Sequence, residues 1–460
     1  DTKISKGSKL EVSIINIDYF ELFKLNICTL TINEQNYHLK HKYEYIYPVI
    51  IYLKNRDYMR SFTSSKPLNG IKVIELSNMI TCSLAAMTMS SQGAEIIKVE
   101  PPKIGDKMRP LGTQKNGVSG FFHNCNRGKR SLAIDLKSEA GVQAIKDLIS
   151  ETDILMHNYR PGIMDKLGLG SETLREINPK LIYIAVSGFG TKGPMADLPA
   201  FDHVIQGFAG FTDLQSSDDD SFDFIKTFIC DKVTAYTVCQ AATAALLART
   251  STKIGQHIDI SMLHACLSFM WPDGMMHRTL KDKDKFEMSP GSDYFQTINY
   301  SDGGVALAAL TDEHYEIVLP MLGYPELVGT PLFFSIASRM SNMKEVMKTY
   351  KEPKKDIGVD KALEILTQAD IPCSPCIKRD EIETVEQIKA IGALETYVTK
   401  AMGELTVTTP PVLFEGKSTS HAEPSPLLGE HSRDILKEIG WEDVKISKLI
   451  DSGDVLITSI

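Results

Sequence analysis

Between residues 71 and 187, short β-branched runs alternate with helical stretches, and no other feature of the chain restricts its fold as much. Residues 71–76 read as a strand, the stretch around 83–91 as a helix, and 94–100 as a second strand after Gly93. That is one strand–helix–strand unit within about 30 residues. Residues 131–136, 153–158 and 181–187 read as further strands, with helices over 139–151 and 171–177 between them. This order predicts a mainly parallel sheet covered by helices on both faces, with strands apolar at successive positions. The pattern changes after about residue 285. Residues 294–300 and 305–310 flank Ser301-Asp302-Gly303-Gly304, a hairpin signal. Helical patterns follow at 312–322 and 359–369, so a second, smaller α+β domain is expected.

The first 58 residues do not match the rest. They contain no alanine and one glycine, yet hold seven of the 16 tyrosines. The first alanine is Ala85, and Met59 opens a plausible start. Residues 1–65 are expected to be an atypical extension, disordered or non-native, with no catalytic role. Seven acidic residues before Met59 argue against a mitochondrial presequence there. A net charge of −9 with no basic stripe argues against nucleic acid as partner. The apolar run 45–53 is about half of what a membrane-spanning helix needs. No secretory pattern opens the chain, and eight cysteines in 460 residues are too sparse for a disulfide scaffold. The expected location is cytoplasmic or mitochondrial, with free thiols, and not secreted.

Three motifs have competing readings. Gly188-Phe189-Gly190-Thr191-Lys192-Gly193 follows a strand in the manner of a dinucleotide site, but Pro194 and Pro199 do not suit the helix such a site needs. A glycine-rich turn at a strand end is the better reading. Cys373-Ser374-Pro375-Cys376 has CxxC spacing but no second ligand pair, so no metal site is expected. Asp231 precedes the Ala-rich helical run 232–249, where a carboxylate either caps the helix or serves as a nucleophile.

Several segments taken together resemble one family. They are residues 66–73, the stretch 93–102 with Gly105, Asp106 and Arg109, then Asn126-Arg127-Gly128-Lys129, Asn158-Tyr159-Arg160-Pro161-Gly162 and the 188–194 turn. Cys230-Asp231-Lys232, Gly255-Gln256-His257, Ile371-Pro372-Cys373 and Leu428-Gly429-Glu430-His431 continue the match. In order and spacing they resemble the class III coenzyme A-transferases, the CaiB/BaiF family, over roughly residues 66–440. The resemblance implies an α/β fold: a Rossmann-like large domain with a mainly parallel sheet (66–275), a smaller α+β domain (285–395), and a return to the large domain (396–460). It also implies an interlocked homodimer.

The same resemblance makes Asp231 the catalytic nucleophile. It places Ile134, Asp135 and Lys137 at a strand end near the adenine of coenzyme A (CoA), and Asn158, Tyr159, Arg160 and Lys166 along the CoA site. Asp202 stands at an active-site acidic position, and Pro290 and Gly291 in a loop covering the intermediate. Acyl-CoA and a carboxylic acid are the implied substrates, with no tightly bound cofactor and no metal. Thr81-Cys82-Ser83, Ile80 and Pro101 depart from common family residues; Ile80 argues against a formyl or oxalyl group. The racemase branch of the family needs a histidine where this chain has Phe201, while His203, read as lying on a strand, would face elsewhere. A non-catalytic CoA-binding protein is a further alternative, disfavoured by Asp231.

Overall fold

The computed structural model describes residues 12–14, 30–31, 66–216, 221–282, 295–419 and 423–458. Asp1–Pro67 and Leu68–Ile460 form two separate compact units. In the first, Val12–Ile14 pairs antiparallel with Leu30–Thr31. All that follows concerns the second.

Its centre is a seven-stranded sheet. The strands are β1 (Lys72–Leu76), β2 (Glu95–Glu100), β3 (Lys129–Ile134), β4 (Ile154–His157), β5 (Ile182–Ser187), β6 (His257–Ser261) and β12 (Val455–Leu456). Their spatial order is β6-β5-β4-β1-β2-β3-β12, parallel throughout except for the antiparallel edge strand β12. Apart from β12 this is the doubly wound 3-2-1-4-5-6 arrangement, in which the strand order reverses between β1 and β4. Strands β1 to β5 each sit within two residues of their sequence expectation, whereas β6 was not read as a strand. The short edge strand β12 was not expected, because two residues carry no period to read.

Helices cover both faces. On one lie α1 (Ile80–Ser91), α2 (Gly120–Asn126), α5 (Asp202–Ala209), α6 (Ile229–Thr252) and α7 (Met262–Gly274). On the other lie α3 (Glu139–Ile149), α4 (Ser171–Ile177), α11 (Ser432–Glu438) and α12 (Asp443–Ser452). Successive strand residues divide between the faces as the pleat requires: Val73 and Ile96 join the first core, Ile74, Leu76 and Val99 the second. Small residues bring α1 and α6 together: Ala85, Ala86, Ala235, Ala242 and Ala245 all lie in the first core, and the Cys239 thiol reaches the Ala85 carbonyl at 3.3 Å. Ser138 caps α3 by accepting the Gly141 N–H at 3.0 Å, and Trp441 ties the α11–α12 turn to α3 through Asp147 at 2.9 Å.

A third core belongs to a smaller sheet. It consists of β7 (Ile298–Tyr300), β8 (Gly303–Leu307) and β9 (Cys373–Pro375), all antiparallel, packed with α8 (Asp312–Leu322), α9 (Met343–Lys351) and α10 (Val359–Gln368). Residues 375–425, which gave little sequence signal, contain a hairpin, β10 (Leu394–Thr399) with β11 (Gly403–Thr408). It docks on α2, where the Tyr397 hydroxyl meets His123 Nε2 at 2.9 Å. Among the described residues no helix is long and apolar enough to cross a membrane.

One expectation about the strands is wrong. On the α1 face, β1, β2 and β3 do not stay apolar but carry Glu75, Lys98, Glu100, Lys129 and Ser131, all buried. Lys98 Nζ pairs with Glu75 at 2.5 Å and with Asp106 at 2.8 Å, and Lys129 Nζ pairs with the other Glu75 oxygen at 2.6 Å. Arg109 grips Glu100 at 2.8 and 2.7 Å, and its guanidinium lies over the Phe122 ring. Three carboxylates thus face three cations. Burial opposes the ionised form of Glu75, but Lys129 and Lys98 outweigh it and hold that carboxyl well below the usual range. Burial likewise opposes charged Lys98, and Asp106 and Glu75 outweigh it, so its ammonium is held more firmly than usual. The sequence signal was the period-two spacing of Lys98 and Glu100 and of Lys129 and Ser131 inside strands otherwise rich in Ile, Leu and Val.

Candidate active site

In doubly wound sheets, ligands bind outside the carboxyl ends of the strands, where the winding reverses. Here that point lies between β1 and β4, and it is bridged. Asn158, just past β4, donates from Nδ2 to the Asn78 carbonyl at 2.6 Å and to Thr81 Oγ1 at 3.0 Å. Its Oδ1 accepts the Asn78 N–H at 3.1 Å. From the other side Asp106 Oδ1 accepts the Met79 N–H at 3.2 Å. Met79 itself has φ 65° and ψ −158°, a conformation that only glycine adopts readily, at a cost of about 1–3 kcal/mol for other residues. The surrounding hydrogen bonds hold it there at the start of α1.

Asp231 does not cap α6, contrary to the simplest sequence reading. The cap position is Phe228, and Asp231 lies inside the first turn, 7% exposed. A helix N-terminus favours a negative charge. Burial outweighs that, and the neighbouring charge of Asp202 adds to it, so the Asp231 carboxyl is pushed up to about 7. Asp202 opens α5, is 1% exposed, and its Oδ2 accepts the Asp231 backbone N–H at 2.9 Å. Gln206, one turn further along α5, donates to Asp202 Oδ1 at 2.6 Å. An aromatic wall stands beside them. Phe228 stacks on Phe121 with ring centroids 5.6 Å apart, and His203 meets Phe224 and Phe228 edge-on at 5.4 and 5.7 Å. Phe228 and Met79 both pack against the small core of Ile80, Met108, Phe122 and Cys125, which links this wall to the α1 turn.

The strand assumed for His203 is corrected: it is the second residue of α5, exposed, with its ring against those phenylalanines. Phe201 is the residue before α5 and offers no proton acceptor. The other expected residues are distributed along the carboxyl edge of the sheet. Ile134 ends β3 with its side chain in the core, so a ligand there meets backbone rather than the Ile134 side chain. Asp135 accepts the Lys137 N–H at 2.9 Å in the turn that follows. Tyr159 is half-buried beside His157, and Arg160 and Lys166 are exposed. Pro290 and Gly291 lie outside the described residues. The 188–193 turn leads to no helix before Asp202, and Cys373 sits in β9 with Cys376 just beyond it. No cluster of three metal-ligating side chains occurs among the described residues. Sequence reasoning missed Asn158 as a bridge, and Gln206 entirely; its only signal was the four-residue spacing from Asp202.

The fold and site define a Rossmann-like α/β protein with a bridged switch point and a buried pair of aspartates joined through a backbone N–H. The chain belongs to CoA-transferase family III, whose model matches residues 68–432. It is an enzyme that transfers CoA between an acyl-CoA and an acid. Succinyl-CoA:glutarate CoA-transferase of Mus musculus is 29% identical over 396 residues, covering 85% of this chain and 90% of its own. Acetyl-CoA:oxalate CoA-transferase of Acetobacter aceti is 28% identical over 384 residues, covering 82% of this chain and 97% of its own. The crystal structure of a CAIB/BAIF family protein from Brucella suis superposes with a TM-score of 0.70 at 29% identity, covering 82% of this chain and all of that one.

Proposed function

We propose that Asp231 carries the transferred group covalently and that donor and acceptor are small dicarboxylates. The observation that carries the reading is a buried carboxylate in the first turn of α6, with its proton affinity raised to about 7. Such a group is both available as an anion near neutrality and more basic, hence more nucleophilic, than a solvated carboxylate. Its oxygen attacks the thioester carbonyl, the C–S bond breaks, and CoA leaves as thiolate from a mixed anhydride. The thiolate attacks the aspartyl carbonyl, which releases the donor acid and leaves CoA as a thioester on Asp231. An acceptor carboxylate then attacks that thioester, and the returning thiolate takes the acyl group and frees Asp231. The thioester is conserved overall, so no further energy source enters.

CoA would lie along the carboxyl edge of the sheet, its adenine near Ile134, Asp135 and Lys137 and its reactive end near Asn158 and Tyr159. The ends of β3 and β4 are three strand spacings apart, about 14 Å. Arg160 and Lys166 would supply cations to its phosphates. Pro290 and Gly291 would cover the intermediate, with the Gly291 backbone N–H serving an oxyanion. Dicarboxylates are favoured because two relatives are named for transfer between succinate and glutarate. An interlocked homodimer in the cytoplasm or mitochondrion completes the reading. The test is incubation with succinyl-CoA followed by hydroxylamine. Asp231 recovered as its hydroxamate is expected, and an unlabelled Asp231 with turnover intact would sink the reading.

A further inference from the structure

We propose that Gln206 is a positioning residue for Asp231, acting through Asp202 and through the segment that leads into α6; this rests on Asp231 being the nucleophile. Gln206 is 1% exposed, and every polar atom of its amide is engaged. Nε2 donates to Asp202 Oδ1 at 2.6 Å and to the carbonyls of Ile225 and Thr227 at 3.3 and 3.1 Å. Oε1 accepts the Ile225 N–H at 3.1 Å. A flipped amide would set its NH2 against the Ile225 N–H and its oxygen against the Asp202 carboxylate, so one orientation is enforced. Asp202 is therefore held with one oxygen on Gln206 and the other on the Asp231 N–H at 2.9 Å. The same amide fixes residues 225–227, from which the chain enters α6.

The groups around Asp231 leave Asp202 as the charge that matters. On α5 they are Asp202 and exposed His203, and on α6 itself Cys230 and Lys232, whose ammonium turns away to Thr227 Oγ1 at 2.6 Å. On α7 there is the buried Cys266, whose thiol lies 3.9 Å from the Cys230 carbonyl. After burial, Asp202 is the influence that raises the Asp231 carboxyl. Whatever holds Asp202 thus sets both the place of the Asp231 backbone and the proton affinity of its side chain. A side chain needed only to staple the 225–227 segment would use the backbone contacts and have no use for the carboxylate contact.

The experiment compares full-length Gln206→Glu and Gln206→Met with wild type. It follows kcat and KM for succinyl-CoA exchange across pH, with a thermal melt and hydroxylamine trapping for each protein. In Gln206→Glu the protonated carboxyl can donate to Asp202 as the amide does, whereas the ionised form sets a second negative charge beside it. Gln206→Glu is expected to match wild type within about threefold at about pH 5.5 and to fall about tenfold or more behind it in kcat by about pH 8. Gln206→Met is expected to lose about tenfold in kcat, with the acid limb displaced by about half a pH unit or more and KM nearly unchanged. A folded Gln206→Glu whose activity relative to wild type is constant across pH, or changes only in KM, overturns the inference and leaves Gln206 a loop staple. If Gln206→Met fails to fold, the near-isosteric Gln206→Glu decides alone. Failure to label Asp231 in wild type would instead refute the nucleophile itself, whatever the Gln206 variants do.

Discussion

Replacing Asp231 by asparagine should abolish exchange and, above neutral pH, make the protein more stable. The folded chain raises this carboxyl from 3.8 to about 7. At about 1.4 kcal/mol per pH unit, ionising it in the fold costs on the order of 4 kcal/mol more than in the unfolded chain. Because the folded state binds the proton more tightly, the stability is fully present below about pH 4 and is lost as pH rises through about 7. Asparagine keeps the shape and stays neutral throughout, so it escapes this loss. It forfeits only the attraction of the α6 N-terminus for an anion, about 0.3–1 kcal/mol. For a chain of this length 1 kcal/mol moves Tm by on the order of 1–2 °C, so Asp231→Asn should melt roughly 5 °C above wild type at about pH 8. At about pH 4.5 the two should nearly coincide. Thermal melts at a series of pH values, with exchange assayed on the same samples, read both effects. A Tm difference that does not change with pH, or a less stable variant at about pH 8, would refute the claim that burial and Asp202 strain this carboxylate.

Three other outcomes are expected. Asp202→Asn removes the neighbouring charge but not the burial, so the acid limb of the pH–rate profile should move down by about one unit; an unmoved limb would count against the coupling. Lys129→Met leaves one oxygen of buried Glu75 without its cation, and should cost about 3–5 kcal/mol in urea unfolding; a loss below about 1 kcal/mol would mean the charged face is not a coupled unit. Asn158→Ala removes the bridge between β4 and the turn after β1, and should lower kcat/KM for acyl-CoA by about tenfold or more, as expected for two or three lost hydrogen bonds. Unchanged kinetics in that variant would place CoA elsewhere.

The sheet was readable because each of its first five strands and its neighbouring helix obeys a local period, 2 or 3.6, that survives in the sequence. The run 72–76 and the cap Ser138 before α3 are examples in which propensity and tertiary packing agree. What defeated local reading were contacts across the chain. The hairpin 394–408 is only half-buried and its strands mix polar with apolar residues, so no strong pattern marked it. The position of Asp231 within α6 was off by a turn because the helix begins at Ile229, supported by the packing of Phe228 rather than by a capping side chain. His203 was misplaced on a strand because α5 starts without a side-chain cap.

The sequence by itself determined the order of elements, the parallel sheet and, through resemblance, the family and the aspartate most worth testing. These are properties of short periods and of residue identity, and both are local. Only the tertiary structure decided that Glu75, Lys98 and Lys129 neutralise one another inside the sheet, that Asn158 bridges the switch point, and that Asp202 and Gln206 bear on Asp231. Charge balance and proton affinity depend on which groups share a small, water-poor volume. Residues 54 positions apart, such as Glu75 and Lys129, enter that volume only when the strands are aligned.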